Sequence, residues 1–266
     1  KEKWMERLRK FKAQAIIFDK DGTLIDFDAM WGGWVIYLAE QLRQASGLNV
    51  HEPMCLAMGY DDTNKKVLAH GKLAMTPMAQ LYRLTVEVMR SLGLTENKAE
   101  QVVEKTWRIP DPVLLAKPLT DMRALFGRLH NEGIKIAIAT ADDRKPTQAM
   151  IEAFDIEEYI SSMVCADDGV IVKPAPDMVW AICKQINIDP SKTMVVGDTV
   201  ADLKMARAAG AGLVVGVLSG VSSTKDLAPF ADVLIESVDE LHSYSVQQQV
   251  NELDNVLKGL NPDIVF

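Results

Sequence analysis

The chain has 266 residues, of which 48% are hydrophobic and 25% charged, enough apolar material for a sizeable core in one large or two modest domains. A net charge of −8 argues against a non-specific nucleic-acid-binding protein, so no nucleic-acid partner is expected. Every apolar run is shorter than the ~18 residues that a transmembrane helix needs, so no membrane partner is expected either. Cys55, Cys165 and Cys183 are too widely spaced for a disulfide framework or a zinc site, which predicts buried, reduced thiols in a cytoplasmic protein.

Residues 1–12 are basic and place apolar side chains at helical spacing, namely Trp4, Met5, Leu8 and Phe11. This pattern predicts a short amphipathic helix packed beside the first strand. Acidic residues within the segment are out of place in a transit peptide. The first residue is not Met, so the true start is expected upstream and organellar targeting stays open.

Short apolar runs predict strands that are buried on both faces, because most of them are continuous and not alternating. Helical patterns lie between these runs, and the alternation predicts an α/β, Rossmann-like, doubly wound parallel sheet. The predicted strands are residues 15–18, 134–139, 163–165, 193–196, 213–217 and 233–235. The predicted helices of this core are residues 119–131, 146–154, 177–186 and 202–209.

Residues 27–116 differ, because they have helical periodicity and no clear strand. Glycines punctuate this interval and prolines close it. We therefore expect a core of residues 1–26 and 117–240, an inserted helical cap of residues 27–116, and a helical C-terminal tail of residues 241–266. The helices predicted in the cap are residues 31–45, 64–69, 77–92 and 98–106, and helical spacing in the tail covers residues 241–260.

Polar residues follow the ends of three predicted strands or lie in a loop near them. In parallel α/β sheets the ligand site lies at the carboxyl ends of the strands, so these side chains are expected at one rim of the sheet. Taken singly, each one fits a turn, a helix cap or a solvated surface position. Taken together they predict a functional site, formed by Asp19, Asp21, Thr140, Lys173, Asp198 and Asp202.

The motifs around these residues resemble those of the haloacid dehalogenase-like (HAD) hydrolase superfamily. DKDGTLID resembles its first motif, and Thr140 after IAIA resembles the Ser/Thr of the second. Lys173 in KPAPD resembles the third-motif lysine, and GDTVADLKMARAAGA resembles the fourth motif, GDxxxD. The branch that the chain most resembles is the phosphoglycolate-phosphatase type, in which a helical cap is inserted after the first strand.

The resemblance implies a catalytic role for four residues. Asp19 would be the nucleophile that forms an aspartyl phosphate. Asp21 would protonate the leaving group and later deprotonate water. Thr140 and the backbone N–H of Ala141 would hold phosphate oxygens, while Lys173 would offset the charge on Asp19 and the phosphate. Dehalogenases of the superfamily usually lack the second aspartate, so Asp21 favours phosphate chemistry.

The resemblance also implies Mg²⁺ as a cofactor, held by the Asp19 carboxylate, the Asp21 backbone carbonyl and the Asp198 carboxylate. Asp202 would support this site, and Gly22 would permit the sharp turn after Asp21. One departure from the family pattern is the sequence Thr140-Ala141-Asp142-Asp143, where relatives often carry Asn after the Ser/Thr.

The sequence therefore predicts a Mg²⁺-dependent phosphatase acting on a small phosphorylated metabolite, such as phosphoglycolate, a sugar phosphate, a nucleotide or pyrophosphate. Alternatives left open are a phosphomutase, a non-catalytic phospho-ligand or protein-binding module, and a phosphonate hydrolase using Lys65, Lys66 or Lys72. Trp31 and Trp34 would wall a substrate pocket in the cap or pack its helical core. A homodimer stays open, as does the role of the tail.

Overall fold

The computed structural model describes residues 2–68, 71–76, 78–108 and 113–245. The helices are, in chain order, α1 (Glu2–Lys10), α2 (Phe27–Ser46), α3 (His51–Met58), α4 (Lys72–Met75), α5 (Met78–Ser91), α6 (Glu96–Thr106), α7 (Met122–Asn131), α8 (Arg144–Ala153), α9 (Asp177–Ile186), α10 (Val200–Ala209) and α11 (Thr224–Leu227). The strands are β1 (Ala15–Phe18), β2 (Tyr60–Asp61), β3 (Lys66–Val67), β4 (Lys135–Ala139), β5 (Ile160–Val164), β6 (Thr193–Gly197), β7 (Leu213–Val217) and β8 (Val233–Ile235). Short 3₁₀ segments cover Glu157–Tyr159, Pro190–Lys192 and Val238–Ser243.

The chain divides into two compact units, one formed by residues 1–24 and 118–266 and the other by residues 25–117. The first unit contains a parallel sheet with strand order β5-β4-β1-β6-β7-β8. From β1 the chain moves outward to β4 and β5, then returns to β6 on the other side of β1. Because parallel crossovers are right-handed, the two halves place their helices on opposite faces of the sheet. The predicted α/β, doubly wound class is confirmed.

The core of the first unit explains why β1 is continuously apolar. All four residues of this strand are buried. Ala15 and Ile17 pack with residues of α9 and α10, whereas Phe18, on the opposite face, lies 5.3 Å from Phe126 of α7 between ring centroids. Burial on both faces removes the alternation of polar and apolar residues that a half-exposed strand would show.

The N-terminal segment forms the predicted helix, α1, but it packs against β8 and not beside the first strand. Leu8 is buried, and the Arg7 guanidinium lies 2.8 Å from the Asp232 carboxylate that precedes β8. Tyr244 ties the same region to the end of the described chain, because its hydroxyl donates to the Phe11 carbonyl. The predicted helical tail begins as a 3₁₀ segment, and residues 246–266 lie outside the described residues.

The described part of residues 25–117 is mainly helical, and α2, α3, α5 and α6 enclose an apolar core. The predicted helix 64–69 is wrong, because β2 and β3 pair as an antiparallel hairpin there. The Asp61 carboxylate accepts the N–H groups of Thr63 and Asn64, each at 3.0 Å, and so fixes the turn. Helix α3 was not predicted, although Pro53 in its first turn is compatible with a helix start.

Two further expectations concern the whole described chain. Within the residues that the structure describes, none of the helices combines the length and the apolar character needed to cross a lipid bilayer. The three cysteines are buried free thiols, as predicted. Burial raises the pKa of Cys165 and of Cys183, each to about 11, so these thiols are protonated at neutral pH.

Candidate active site

Three neighbouring strands deliver polar residues to one edge of the sheet. β1 lies between β4 and β6, and the register aligns Phe18 with Ile138 on one side and with Val196 on the other. Asp19 follows β1, and its N–H donates to the Val196 carbonyl at 2.9 Å. Thr140 follows β4 and Asp198 follows β6. The strand order reverses beside β1, since β4 and β5 lie on one side of it and β6, β7 and β8 on the other. Ligands bind at this position in doubly wound sheets.

Lys173 links two buried carboxylates. Its Nζ lies 2.5 Å from Asp19 Oδ1 and 2.6 Å from Asp202 Oδ1, and all three side chains are at least nine-tenths buried. Asp202 also closes the start of α10, because its other oxygen accepts the N–H of Thr199 at 3.0 Å. The Asp202 carboxylate therefore takes part both in the capping box of α10 and in the ion pair with Lys173, while its role in the site stays a prediction.

The Asp198 carboxylate packs closely against backbone atoms. Its Oδ2 accepts the N–H of Val221 at 3.1 Å, and its Oδ1 lies 3.4 Å from the Thr23 hydroxyl. A Cβ at Gly22 or at Gly220 would collide with this carboxylate, and the positive φ of Gly22, 83°, also favours glycine. The segment after β7, which contains Gly220 and Val221, was not predicted as part of the site. Apart from its glycine, nothing in its sequence indicated a functional role.

The electrostatics of this cluster are unbalanced. Burial raises the pKa of Asp19 to about 6, with Lys173 opposing the rise and Asp202 adding to it. Burial and the neighbouring carboxylates Asp19 and Asp202 raise the pKa of Asp198 as well. Burial alone would lower the pKa of Lys173, but Asp19 and Asp202 outweigh it and raise that pKa above its ordinary value. The cluster thus holds three buried carboxylates and one ammonium group, which contacts two of them.

The donor set fits a hard divalent cation. Carboxylate oxygens of Asp19, Asp198 and Asp202 lie within 4.8 Å of one another, and all three residues are buried. Carboxylate oxygens are the ligands that Mg²⁺ and Ca²⁺ prefer, and a cation would offset the excess negative charge. The absence of side chains at Gly22 and Gly220 makes room for the Asp198 carboxylate in this cluster. Of the predicted metal ligands, the structure brings Asp19 and Asp198 together and adds Asp202, while a role for the Asp21 carbonyl stays a prediction.

Asp21 belongs to a second ion-pair group at the same edge. Its Oδ1 lies 2.6 Å from the ammonium group of Lys20, which also lies 3.2 Å from Asp142 Oδ2. The Lys20 side chain is buried, whereas Asp21 and Asp142 are partly exposed. Burial disfavours the charged amine, but the two carboxylates outweigh it and raise the pKa of Lys20. Sequence reasoning missed Lys20 and Asp142, although a lysine between two aspartates directly after a buried strand was a usable signal.

Thr140 fixes the turn that follows β4. Its hydroxyl oxygen accepts the N–H of Asp142 at 3.1 Å, and the Thr140 side chain is buried. Helix α8 begins four residues after Thr140, at Arg144, with Asp143 as its N-cap, so Thr140 does not cap this helix. Ala141 is exposed between them. The turn therefore presents backbone at the sheet edge, which is compatible with the predicted oxyanion contacts.

The two tryptophans proposed for a substrate pocket lie in the second unit. Trp34 is buried in the core of that unit, and its indole N–H donates to the Arg108 carbonyl at 2.7 Å. Trp31 is partly exposed and meets Trp34 edge-on, with ring centroids 5.9 Å apart. Both indoles thus pack within this unit, and their contact with a substrate stays a prediction.

Comparison with known protein families shows which family the chain resembles. The sequence model of the haloacid dehalogenase-like hydrolases matches residues 13–210, which contain Asp19, Asp21, Thr140, Lys173 and both later aspartates. The chain therefore belongs to this family of hydrolases, and the resemblance inferred from the motifs is confirmed. It is an enzyme, and its curated relatives include phosphatases.

Individual relatives cover most or part of the chain. A phosphorylated carbohydrates phosphatase of Thermotoga maritima is 23% identical over 228 residues, which make up 86% of this chain and 96% of that protein. A phosphoglycolate phosphatase of Escherichia coli K12 is 30% identical over 119 residues, 44% of this chain and 46% of that one. A solved HAD-superfamily hydrolase of subfamily IA, variant 1, from Geobacter sulfurreducens PCA covers 88% of this chain and 97% of its own, with a TM-score of 0.59 and 17% identity, a likeness of fold.

Proposed function

We propose that the chain is a Mg²⁺-dependent phosphatase that hydrolyses a small phosphate monoester through a phosphorylated Asp19. The observation that supports this most is the buried Asp19 carboxylate, held by Lys173 at 2.5 Å, with the partly exposed Asp21 carboxylate two residues away at the same sheet edge. A nucleophile and an acid–base group are the two functions that this reaction needs from side chains.

The reaction would proceed in two displacements at phosphorus. An oxygen of Asp19 attacks phosphorus, the ester P–O bond breaks, and Asp21 gives its proton to the leaving alkoxide. Asp21, now a carboxylate, then takes a proton from water as that water attacks phosphorus. The bond between Asp19 and phosphorus breaks, free phosphate leaves, and both aspartates return to their starting states.

The remaining side chains would stabilise charge. Lys173 faces Asp19 and offsets negative charge as an anionic nucleophile meets an anionic ester. The Thr140 hydroxyl and the Ala141 N–H would bind non-bridging phosphate oxygens. Asp19 and Asp198 would hold Mg²⁺ with support from Asp202, and the cation, when bound, supplies Lewis-acid polarisation of the phosphoryl group.

The names of the relatives support a small, organic phosphate ester as substrate. One relative is a phosphorylated carbohydrates phosphatase and another a phosphoglycolate phosphatase. We therefore propose a sugar phosphate or a phosphoglycolate-like acid as the substrate class, with residues 27–116 as the unit that selects it. The three buried free thiols support a reducing, cytoplasmic location. A homodimer stays a prediction.

Removal of divalent cations is expected to abolish turnover. Enzyme treated with EDTA should release no phosphate from p-nitrophenyl phosphate, and added Mg²⁺ should restore the rate, because the carboxylate cluster needs a cation to accept an anionic substrate. Phosphate and p-nitrophenol are measured separately, since a phosphomutase would not accumulate free phosphate. Equal phosphate release with EDTA and with Mg²⁺ would refute the metal dependence.

Stabilisation by Mg²⁺ is expected to grow with pH. In the cation-free protein the pKa of Asp19 is about 6 against an ordinary value of 3.8, so this group stabilises the fold at low pH and the contribution is lost as pH rises to about 6. Mg²⁺ binds the ionised carboxylates and reverses that loss. Saturating Mg²⁺ should therefore raise Tm by roughly 5–10 °C at about pH 7.5 and by much less at about pH 5. The reverse order would contradict this linkage.

A further inference from the structure

The Lys20 ammonium group connects two parts of the site that sequence motifs treat as separate. Its Nζ lies 2.6 Å from Asp21 Oδ1 and 3.2 Å from Asp142 Oδ2. Asp21 belongs to the loop after β1, whereas Asp142 belongs to the turn after β4. The two strands are neighbours, paired from Ala15 with Lys135 to Phe18 with Ile138. This pairing brings the two carboxylates into contact with one buried cation.

Stability of the fold gives little reason for a lysine at this position. A buried ammonium group is costly to desolvate, and replacing buried ion pairs by apolar residues of similar size is often neutral or stabilising. Methionine has a similar length and no charge. Asp21 and Asp142 keep 20% and 32% of their side-chain surface exposed, so water can solvate them if the lysine is removed. The charge of Lys20 therefore calls for another explanation.

Asp142 is itself held rigidly. Its N–H donates to the Thr140 hydroxyl at 3.1 Å, and its carbonyl accepts the N–H of Ala166 at 2.9 Å. Its Oδ1 accepts the N–H of Asp143 at 3.0 Å, which leaves Oδ2 directed at Lys20. A fixed carboxylate thus anchors the ammonium group, and the ammonium group contacts Asp21.

We propose that Lys20, anchored by Asp142, is a positioning residue that holds the Asp21 carboxylate in the orientation from which it serves the leaving group. The inference rests on the proposed function and adds to it a pair of residues that orient the acid–base group. Proton transfer requires close alignment of donor and acceptor, and a displacement of about 1 Å can cost on the order of 100-fold in rate. The fixed turn after β4 supplies that alignment through one ion pair.

The test compares two aryl esters of similar shape, phenyl phosphate and p-nitrophenyl phosphate. Phenolate needs a proton to depart readily, whereas p-nitrophenolate leaves without one. For Lys20→Met we expect kcat/KM to fall about 10–100-fold for phenyl phosphate and less than about threefold for p-nitrophenyl phosphate. Asp21→Asn should shift the ratio in the same direction and further. Lys135→Met, which removes a lysine bound to the Ile186 carbonyl at the opposite edge of the sheet, should leave the ratio unchanged.

Asp142→Asn provides a second variant should Lys20→Met not fold. Asparagine keeps the shape and one oxygen acceptor but removes the anchoring charge, so the ratio of the two rates should change at least about threefold. Equal losses on both esters, or an unchanged ratio in both variants, would overturn the positioning role while leaving the phosphatase proposal intact. If the wild-type enzyme hydrolysed neither ester, that result would overturn the proposed function, and this inference with it.

Discussion

Replacing Asp19 by Asn is expected to lower phosphate release from p-nitrophenyl phosphate by at least about 10⁴-fold, the scale seen when a covalent nucleophile is removed. Asparagine has almost the same shape but is a poor nucleophile, so no phosphorylated enzyme can form. The fold should survive, because Lys173 keeps Asp202 as a partner at 2.6 Å. Steady-state phosphate release together with thermal unfolding of the same sample measures both effects.

A matched control separates loss of the nucleophile from the general effect of an Asp-to-Asn change. Asp189 is exposed, and its carboxylate accepts the Ser191 N–H at 2.8 Å, a contact that asparagine can also make. Asp189→Asn should therefore retain wild-type rates. Appreciable Mg²⁺-dependent hydrolysis by Asp19→Asn would show that another group attacks phosphorus.

Replacing Lys173 by Met is expected to affect both stability and turnover. The change leaves Asp19 and Asp202 buried without the ammonium group that now lies 2.5 and 2.6 Å from their carboxylates. Breaking a buried ion pair from one side costs about 3–5 kcal/mol of unfolding free energy. Turnover should fall by about 10³-fold, because charge compensation at the nucleophile is lost.

The loss of stability in Lys173→Met should depend on pH. Without Lys173, nothing opposes the rise that burial causes in the pKa of Asp19, so at about pH 5 Asp19 is protonated and the repulsion is relieved. Near neutral pH the ionised Asp19 lacks its counter-charge, so the stability deficit is larger there. Urea unfolding at two pH values, with Mg²⁺ removed, measures this difference. Lys184→Met, at an exposed position of α9, is the control and should change neither property. A stability deficit of the same size at both pH values would refute the electrostatic explanation.

The sheet was predictable from the sequence because most of its strands are apolar runs that can be recognised from their residues alone. β1, β7 and β8 match the predicted bounds, since each is a short run of apolar residues and glycine. β5 was predicted too short, because Ser161 and Ser162 interrupt its apolar pattern, and Ser162 instead donates its hydroxyl to the Gln185 side chain. Local composition therefore identifies buried strands, but it misses strand residues with polar side chains whose hydrogen-bond partners lie elsewhere in the fold.

The hairpin of β2 and β3, in contrast, could not be predicted from local composition. Residues 64–69 were assigned helical periodicity, but the Asp61 carboxylate accepts the N–H groups of Thr63 and Asn64 in a turn. Asp28 then accepts the Val67 N–H at 2.7 Å and fixes the second strand from outside the hairpin. This last contact joins residues distant in sequence, so no local pattern could have indicated it.

Some parts of the candidate site were likewise predictable from the sequence, and others were not. Asp19, Asp21, Lys173 and the two later aspartates lie in short motifs, and their local spacing was enough to single them out. The Lys20–Asp142 pair depends on the register of β1 against β4, and the backbone contact of Val221 with Asp198 depends on the loop after β7. Such contacts arise only when the strands are assembled, so a single sequence with no structure does not reveal them.

The most direct test of the account is phosphate release by the wild-type enzyme from a set of small phosphate monoesters that includes sugar phosphates, phosphoglycolate and nucleoside monophosphates. Each ester is assayed with Mg²⁺ and with EDTA, and free phosphate is measured alongside isomerised product. The account predicts that one class of ester releases free phosphate well above the others, and only with Mg²⁺. Folded enzyme that releases no phosphate from any of them, or that only isomerises a sugar phosphate, would contradict it.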